Sequence, residues 1–106
     1  MSIEVNTCAS NLAARLRITD LWREAVTVKP SEHPTTGSVI DVDGDHVIGQ
    51  FVLWPTGAIE ASALAIEDGE QFYFDSGSDL DLGGVEERWT QFVSAISKVE
   101  ANPPLH

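Results

Sequence analysis

At 106 residues, 42% hydrophobic content and a formal charge of −11, the chain has the length of one domain (1–106) with a single modest core, and it is too apolar for a disordered acidic tail. No apolar run approaches the roughly 18 residues of a membrane-spanning helix, and the opening MSIEVNTCAS lacks the basic-then-apolar pattern of a secretory signal. A cytoplasmic location is therefore expected, with no membrane partner and, given the negative charge, no nucleic-acid partner.

In chain order, the first predicted element is a helix over about 7–26. Leu12 and Leu16 form an i, i+4 pair, and Ile18, Leu21, Trp22 and Ala25 continue an apolar face between charged residues. Thr7 or Ser10 is placed to cap its start. Lys29-Pro30 closes the element, and Pro30 to Gly37 is a loop rich in turn formers. Cys8, the lone cysteine of the chain, has no mate for an internal disulfide. With no visible base or electropositive setting, it reads as a small apolar residue rather than a nucleophile.

Beyond Ser38 the period changes from helical to two. Strands are predicted over about 38–43, 46–54, 58–66 and 71–75, separated by Asp43-Gly44, Pro55-Thr56-Gly57 and Glu67-Asp68-Gly69-Glu70 turns. Val47, Phe51 and Leu53 share one face of the second strand, where Gly49 weakens the pattern or marks a bulge. Val85, Trp89, Phe92, Val93, Ile96 and Val99 then form one apolar stripe on a helix over about 84–100. Glu86 and Glu87 fall in its first turn and Lys98 in its last. Asn102-Pro103-Pro104 ends it, leaving a loose tail over 101–106. The order helix, four strands, helix predicts a two-layer α+β domain: an antiparallel meander with helices on one face and the other face partly open.

Charge is segregated along this frame. No Lys or Arg occurs in the 58 residues from Pro30 to Glu87, which hold thirteen of the seventeen carboxylates. A surface selected only for solubility normally mixes both signs, so this region is expected to meet a basic partner.

Constellations that would carry chemistry fail on spacing. Asp41-Val42-Asp43-Gly44-Asp45 looks like the start of a calcium loop, but counting from Asp41 places His46 at the sixth position, where Gly is needed, and Val52 at the twelfth, where Glu is needed. His33, His46 and His106 are too far apart for a zinc site, and none has a second ligand three to five residues away. Gly83-Gly84 before a helix is weak evidence for phosphate binding. Carboxylate pairs on a small two-layer domain lack the cleft that acid–base chemistry needs. No catalytic residue, metal or cofactor is assigned. Trp22 and Trp89 fall on apolar helix faces and are expected in the core. Trp54, just before Pro55-Thr56-Gly57, either closes the core edge or stands as an aromatic anchor for a partner.

The stretch Gly49-Gln50-Phe51-Val52-Leu53-Trp54-Pro55-Thr56-Gly57 is followed by the Ile59 to Ile66 strand, the Asp68-Gly69 turn and Phe72 to Phe74. Asp79-Leu80-Asp81-Leu82 and the Trp89/Phe92/Ile96 helix come next. Over about Gly49 to Lys98 this resembles the small acidic immunity proteins of polymorphic bacterial toxins, most closely the TriTu family. Those proteins are associated with Rhs-type effectors of type VI secretion that ADP-ribosylate a translation elongation factor. The resemblance implies a non-enzymatic cytoplasmic inhibitor that binds its cognate toxin and blocks the active site or substrate access. An acidic inhibitor of a toxin with a basic surface gains steered association, on the order of 10⁸ M⁻¹s⁻¹ or more at low salt.

The candidate contacts are Asp41, Asp43 and Asp45 at the first hairpin, Glu67, Asp68 and Glu70 at a second turn, Asp79 and Asp81 before the last helix, and Trp54. Because alternate turns of a meander fall at opposite sheet ends, the first two groups are expected to share one. A monomer in a 1:1 complex is the expected assembly; the alternative is an acidic secretion chaperone that dimerises and holds an effector segment.

Overall fold

The computed structural model describes residues 5–17, 26–30 and 37–101, without the side chains of Asn6 and Pro30. Helix α1 (Val5–Arg17) is followed by strands β1 (Val26–Pro30), β2 (Ser38–Asp43), β3 (Val47–Leu53), β4 (Ile59–Ala65) and β5 (Gln71–Gly77), and by helix α2 (Leu82–Ala101). The strands form one sheet in the order β1-β2-β3-β4-β5, antiparallel at every step.

The architecture is α+β as expected, but the sheet has five strands, not four. The extra strand, Val26–Pro30, begins at the expected end of the first helix and takes in the Lys29-Pro30 stretch that was expected to close it. Val26-Thr27-Val28 is instead extended, a β-branched run that pairs with β2 in the register Val26↔Val42 to Pro30↔Ser38. Val26 faces the core and Thr27 is exposed, which is the alternation of a strand and not of a helix. The expected Ile18, Leu21, Trp22 and Ala25 face, the 31–36 part of the loop, His33, His106 and the tail beyond residue 101 lie outside the described residues. Thr7 and Ser10 sit within α1 rather than at its start.

Both helices lie on one face of the sheet, α1 over β1 and β2 and α2 over β3, β4 and β5. Cys8, Leu12 and Leu16 of α1, Ile40, Val42, Phe51 and Ile59 of the strands, and Val85, Trp89, Phe92 and Ile96 of α2 form one buried cluster. Phe51 stands edge-on to Trp89 with ring centroids 5.1 Å apart and 5.6 Å from Phe92, a favoured aromatic geometry. On β4 the inward residues after Ile59 are Ala61, Ala63 and Ala65, all buried, so small strand side chains complement the bulky Phe51, Trp89 and Phe92 in the same layer.

Gly49 does not mark a bulge. It faces the helix layer, where an added Cβ would lie 3.0 Å from Phe92 Cζ and 3.1 Å from Ile96 Cδ1, so its lack of a side chain lets α2 approach β3 closely. The irregularity lies between β4 and β5 instead. Ala63 pairs with Tyr73 and Leu64 with Gln71, leaving Phe72 as the extra residue.

Helix α2 starts earlier than its apolar stripe suggested. The Asp81 carboxylate accepts a hydrogen bond from the Gly84 N–H at 2.7 Å, and the Asp81 carbonyl accepts from Val85 N–H at 3.0 Å. Asp81 is therefore the N-cap, and Glu86 and Glu87 lie beyond the first turn, which holds no acidic residue.

Candidate functional site

The meander sends its turns alternately to the two ends of the sheet. The β2–β3 turn and the β4–β5 turn share one end, where the last turn of α2 also arrives. His46 ties the three together. Its backbone N–H donates to Glu100 Oε1 at 3.0 Å, its carbonyl accepts from Ile66 N–H at 2.9 Å, and its ring Nδ1 meets Glu67 Oε1 at 2.5 Å.

Asp43, Asp45, Glu67, Asp68 and Glu70 thus stand together at this end, all exposed. Each turn is locally fixed. Gly44 N–H donates to the Val47 carbonyl at 2.8 Å and Gly69 N–H to the Ala65 carbonyl at 2.8 Å, while Asp68 Oδ1 accepts from Glu70 N–H at 2.9 Å. The hydrogen bond to Glu67 raises the His46 pKa above its ordinary value; partial desolvation opposes this, and the charges of Glu67, Glu100 and Asp45 add to the rise.

Asp41 lies farther along the open face of β2. Its carboxylate pairs with Lys29 Nζ at 3.0 Å and accepts from Gln50 Nε2 at 3.3 Å.

Trp54, Asp79 and Asp81 occupy the opposite end of the sheet. Trp54 is half-buried at the head of the β3–β4 turn, where its backbone N–H donates to the Ala58 carbonyl and its carbonyl accepts from Gly57 N–H, both at 3.0 Å. Leu80 N–H donates to the Gly57 carbonyl at 3.0 Å, which joins this turn to the approach to α2. Asp79 adopts φ 55°, a left-handed conformation that Asp tolerates better than most residues. The nine candidate residues therefore divide into one cluster of five, Asp41 beside it on the open face, and a separate group of three.

Among the described residues no three His, Cys, Asp or Glu side chains converge to hold a metal ion. Cys8 is buried, and burial raises its thiol pKa, with Glu86 adding to the rise and Arg15 opposing it; this is the setting of a packed thiol, not an activated one.

The sheet face that no described helix covers carries residues that sequence reasoning did not single out. Ile48, Phe72 and Phe74 are exposed there, with Leu64 directly opposite Ile48 in the β3–β4 register. The signal was present in Gln71-Phe72-Tyr73-Phe74. Period-two alternation in a strand sends only one of three consecutive aromatics inward, and that one is Tyr73, whose ring lies 5.9 Å from Phe92.

The fold defines a class: a small two-layer α+β domain with both described helices on one side of a five-stranded antiparallel meander. Residues 8–95 match the family model of the immunity protein TriTu, and the chain belongs to that family of immunity proteins. No curated protein and no solved structure matches it.

Proposed function

We propose that this chain neutralises a cognate antibacterial toxin by binding it as a monomer in a 1:1 complex, in the cytoplasm of the cell that makes it. Membership of the TriTu family supports the immunity role and the toxin partner. The observation that carries the mode of binding is the gathering of Asp43, Asp45, Glu67, Asp68 and Glu70 at one sheet end. Such a cluster steers a basic surface toward it and orients it on arrival. Toxins that handle nucleotides or acidic substrates carry basic clefts of this kind. An ADP-ribosyltransferase domain of an Rhs-type effector, delivered by type VI secretion, is the partner that the family resemblance suggests. Inhibition then comes from masking the toxin's active site or its access to substrate, with no reaction performed by this chain.

The test is co-expression with the product of the adjacent upstream gene, read by growth rescue and by size-exclusion chromatography of the pair. Rescue with a 1:1 complex is expected, and reversing Glu67, Asp68 and Glu70 to Lys together should remove it. Absence of toxicity to rescue, combined with a homodimer that raises secretion of the neighbouring product, would replace this reading with the secretion chaperone.

A further inference from the structure

We infer that the toxin docks on the open face of the sheet, with Phe72 and Phe74 of β5 as its apolar anchors and the acidic turns as the rim. This rests on the immunity reading and specifies its contact surface. The occupant is a toxin surface that is apolar at its centre and cationic around it.

Three features of the face converge on this. The first is composition against topology. An antiparallel sheet with one solvated face normally alternates apolar-in with polar-out, and β2 and β3 partly follow this with Asp41, Asp43 and Gln50 outward. The pattern fails at the paired, half-buried Val39 and Val52 and most strongly at a group of more exposed large side chains. Ile48 is 48% exposed, Phe72 36% and Phe74 57%, and Leu64 lies between the strands that carry them, paired with Ile48 on one side and with Gln71 on the other. Neighbouring outward residues Asp41, Gln50 and Ser62 join Ile48 and Leu64 around a shallow depression. Large apolar side chains left in water add nothing to the core, and a contiguous group of them marks a contact surface.

The second feature is position. The row Asp43, Ile48, Leu64 runs straight across β2, β3 and β4 next to the turns that hold Asp45, Glu67, Asp68 and Glu70. The apolar region and the acidic rim therefore adjoin, an arrangement of desolvated anchors within a charged periphery that recognition surfaces share.

The third is charge, which selects the occupant. Among the described residues, the cations Arg15, Arg17, Arg88 and Lys98 all belong to the helices. On the sheet there is only Lys29, on β1 and paired with Asp41 at 3.0 Å. A cationic partner meets no Lys or Arg from β2 to β5. A second copy of this chain would bring the same patch against itself and set acidic rim against acidic rim, so the face suits a basic partner and disfavours self-association.

The experiment uses the full chain and the toxin domain encoded by the adjacent upstream gene, inactivated by substitution of its own catalytic residue for binding and footprinting and left active for growth rescue. Phe72→Ala and Phe74→Ala are each expected to weaken binding by about 10-fold or more, mainly through faster dissociation, and the double variant to lose growth rescue. Leu82→Ala removes an apolar side chain that is 51% exposed at the start of α2 and should leave affinity within about 2-fold, as expected outside a hot spot. Hydroxyl-radical footprinting of the wild-type complex should protect Phe72 and Phe74 from oxidation, a readout that depends on no variant. A wild-type complex with both phenylalanines unprotected, or Phe variants that bind like wild type, would overturn the docking face and leave the immunity role standing. Absence of any wild-type complex or rescue would overturn both. A concentration-dependent homodimer abolished by Phe74→Ala would overturn the choice of occupant.

Discussion

Phe51 and Phe74 are the same side chain on neighbouring parts of one sheet, and they should respond oppositely to truncation. Phe51 is 0% exposed and contacts Trp89 and Phe92 at centroid distances of 5.1 and 5.6 Å. Phe51→Ala removes a buried ring and leaves a cavity, which costs about 3–5 kcal/mol. Against a total stability of about 5–15 kcal/mol for a small domain, that is enough to leave the variant marginal. At about 4–8 °C per kcal/mol for a domain of this size, Tm should fall by about 12 °C or more. Phe74, by contrast, is more than half in water on the uncovered face, and Phe74→Ala should change stability by less than about 1 kcal/mol. Urea unfolding followed by tryptophan fluorescence, with a parallel thermal melt by circular dichroism, measures both. The contrast tests the sheet register itself, because a slip of one residue exchanges the two faces of a strand. A Phe51→Ala loss below about 1 kcal/mol together with a Phe74→Ala loss above about 2 kcal/mol would refute the assignment of inner and outer faces.

Three other perturbations follow from particular contacts. Gly57 adopts φ 87°, and an added Cβ would run into the Leu80 carbonyl oxygen, so Gly57→Ala should cost about 1–3 kcal/mol, while Gly69→Ala, at φ 69° with open space around it, should cost less in the same urea titration. The His46 pKa is raised in the folded chain, first by Glu67; the stabilisation from this pair is therefore fully present below the unfolded pKa of about 6.5 and is lost as pH rises through the higher folded value. NMR titration should place the His46 pKa lower in Glu67→Gln, and a wild-type minus variant Tm difference that grew with pH would contradict the sign. Finally, salt should act in opposite directions on the free chain and on its complex. Raising NaCl from about 0.05 to about 0.5 M screens self-repulsion of the −11 chain and raises its Tm, yet slows association with a basic partner; a rate indifferent to salt would argue against electrostatic steering.

What the sequence revealed depended on whether the signal was local. Helix α2 was legible because six apolar residues from Val85 to Val99 repeat at helical spacing, and β2 to β5 because alternation was punctuated by Asp-Gly and Pro-Thr-Gly turns. Strand β1 was not. Its five residues are too few to establish a period against the apolar helical spacing just before them, and it becomes a strand by pairing with β2, information that is absent from its own stretch. The start of α2 was missed for a related reason. Glu86 and Glu87 suit a first turn by charge, but the hydrogen bond from Gly84 N–H to Asp81 sets the boundary. At the candidate site, the excess of carboxylates was plain from composition, and meander topology was enough to predict that two of the turns share an end. That Phe72 and Phe74 point away from the core needed the strand phase, which Tyr73 and the bulge opposite Leu64 determine.

Folding alone gives no reason to collect carboxylates at one end of a sheet, since like charges brought together only raise the energy of the compact state. The ion pairs explain how the fold nevertheless arrives at this distribution. Arg15 on α1 meets Glu86 on α2 at 3.4 Å, and Arg88 on α2 meets Asp75, an inward carboxylate of β5, at 2.6 Å. Two of the helix-borne cations are thus used against carboxylates on the helix side of the sheet. Those pairs neutralise the helix layer internally and leave the surplus negative charge on the turns and the open face. The result is a molecule with electrostatic direction. On the proposed docking mode, a basic surface approaching from a distance would be drawn toward the meander rather than the helices and would arrive facing Ile48, Phe72 and Phe74. Segregation of charge along the chain becomes segregation between two layers because the meander is continuous in sequence and the helices flank it.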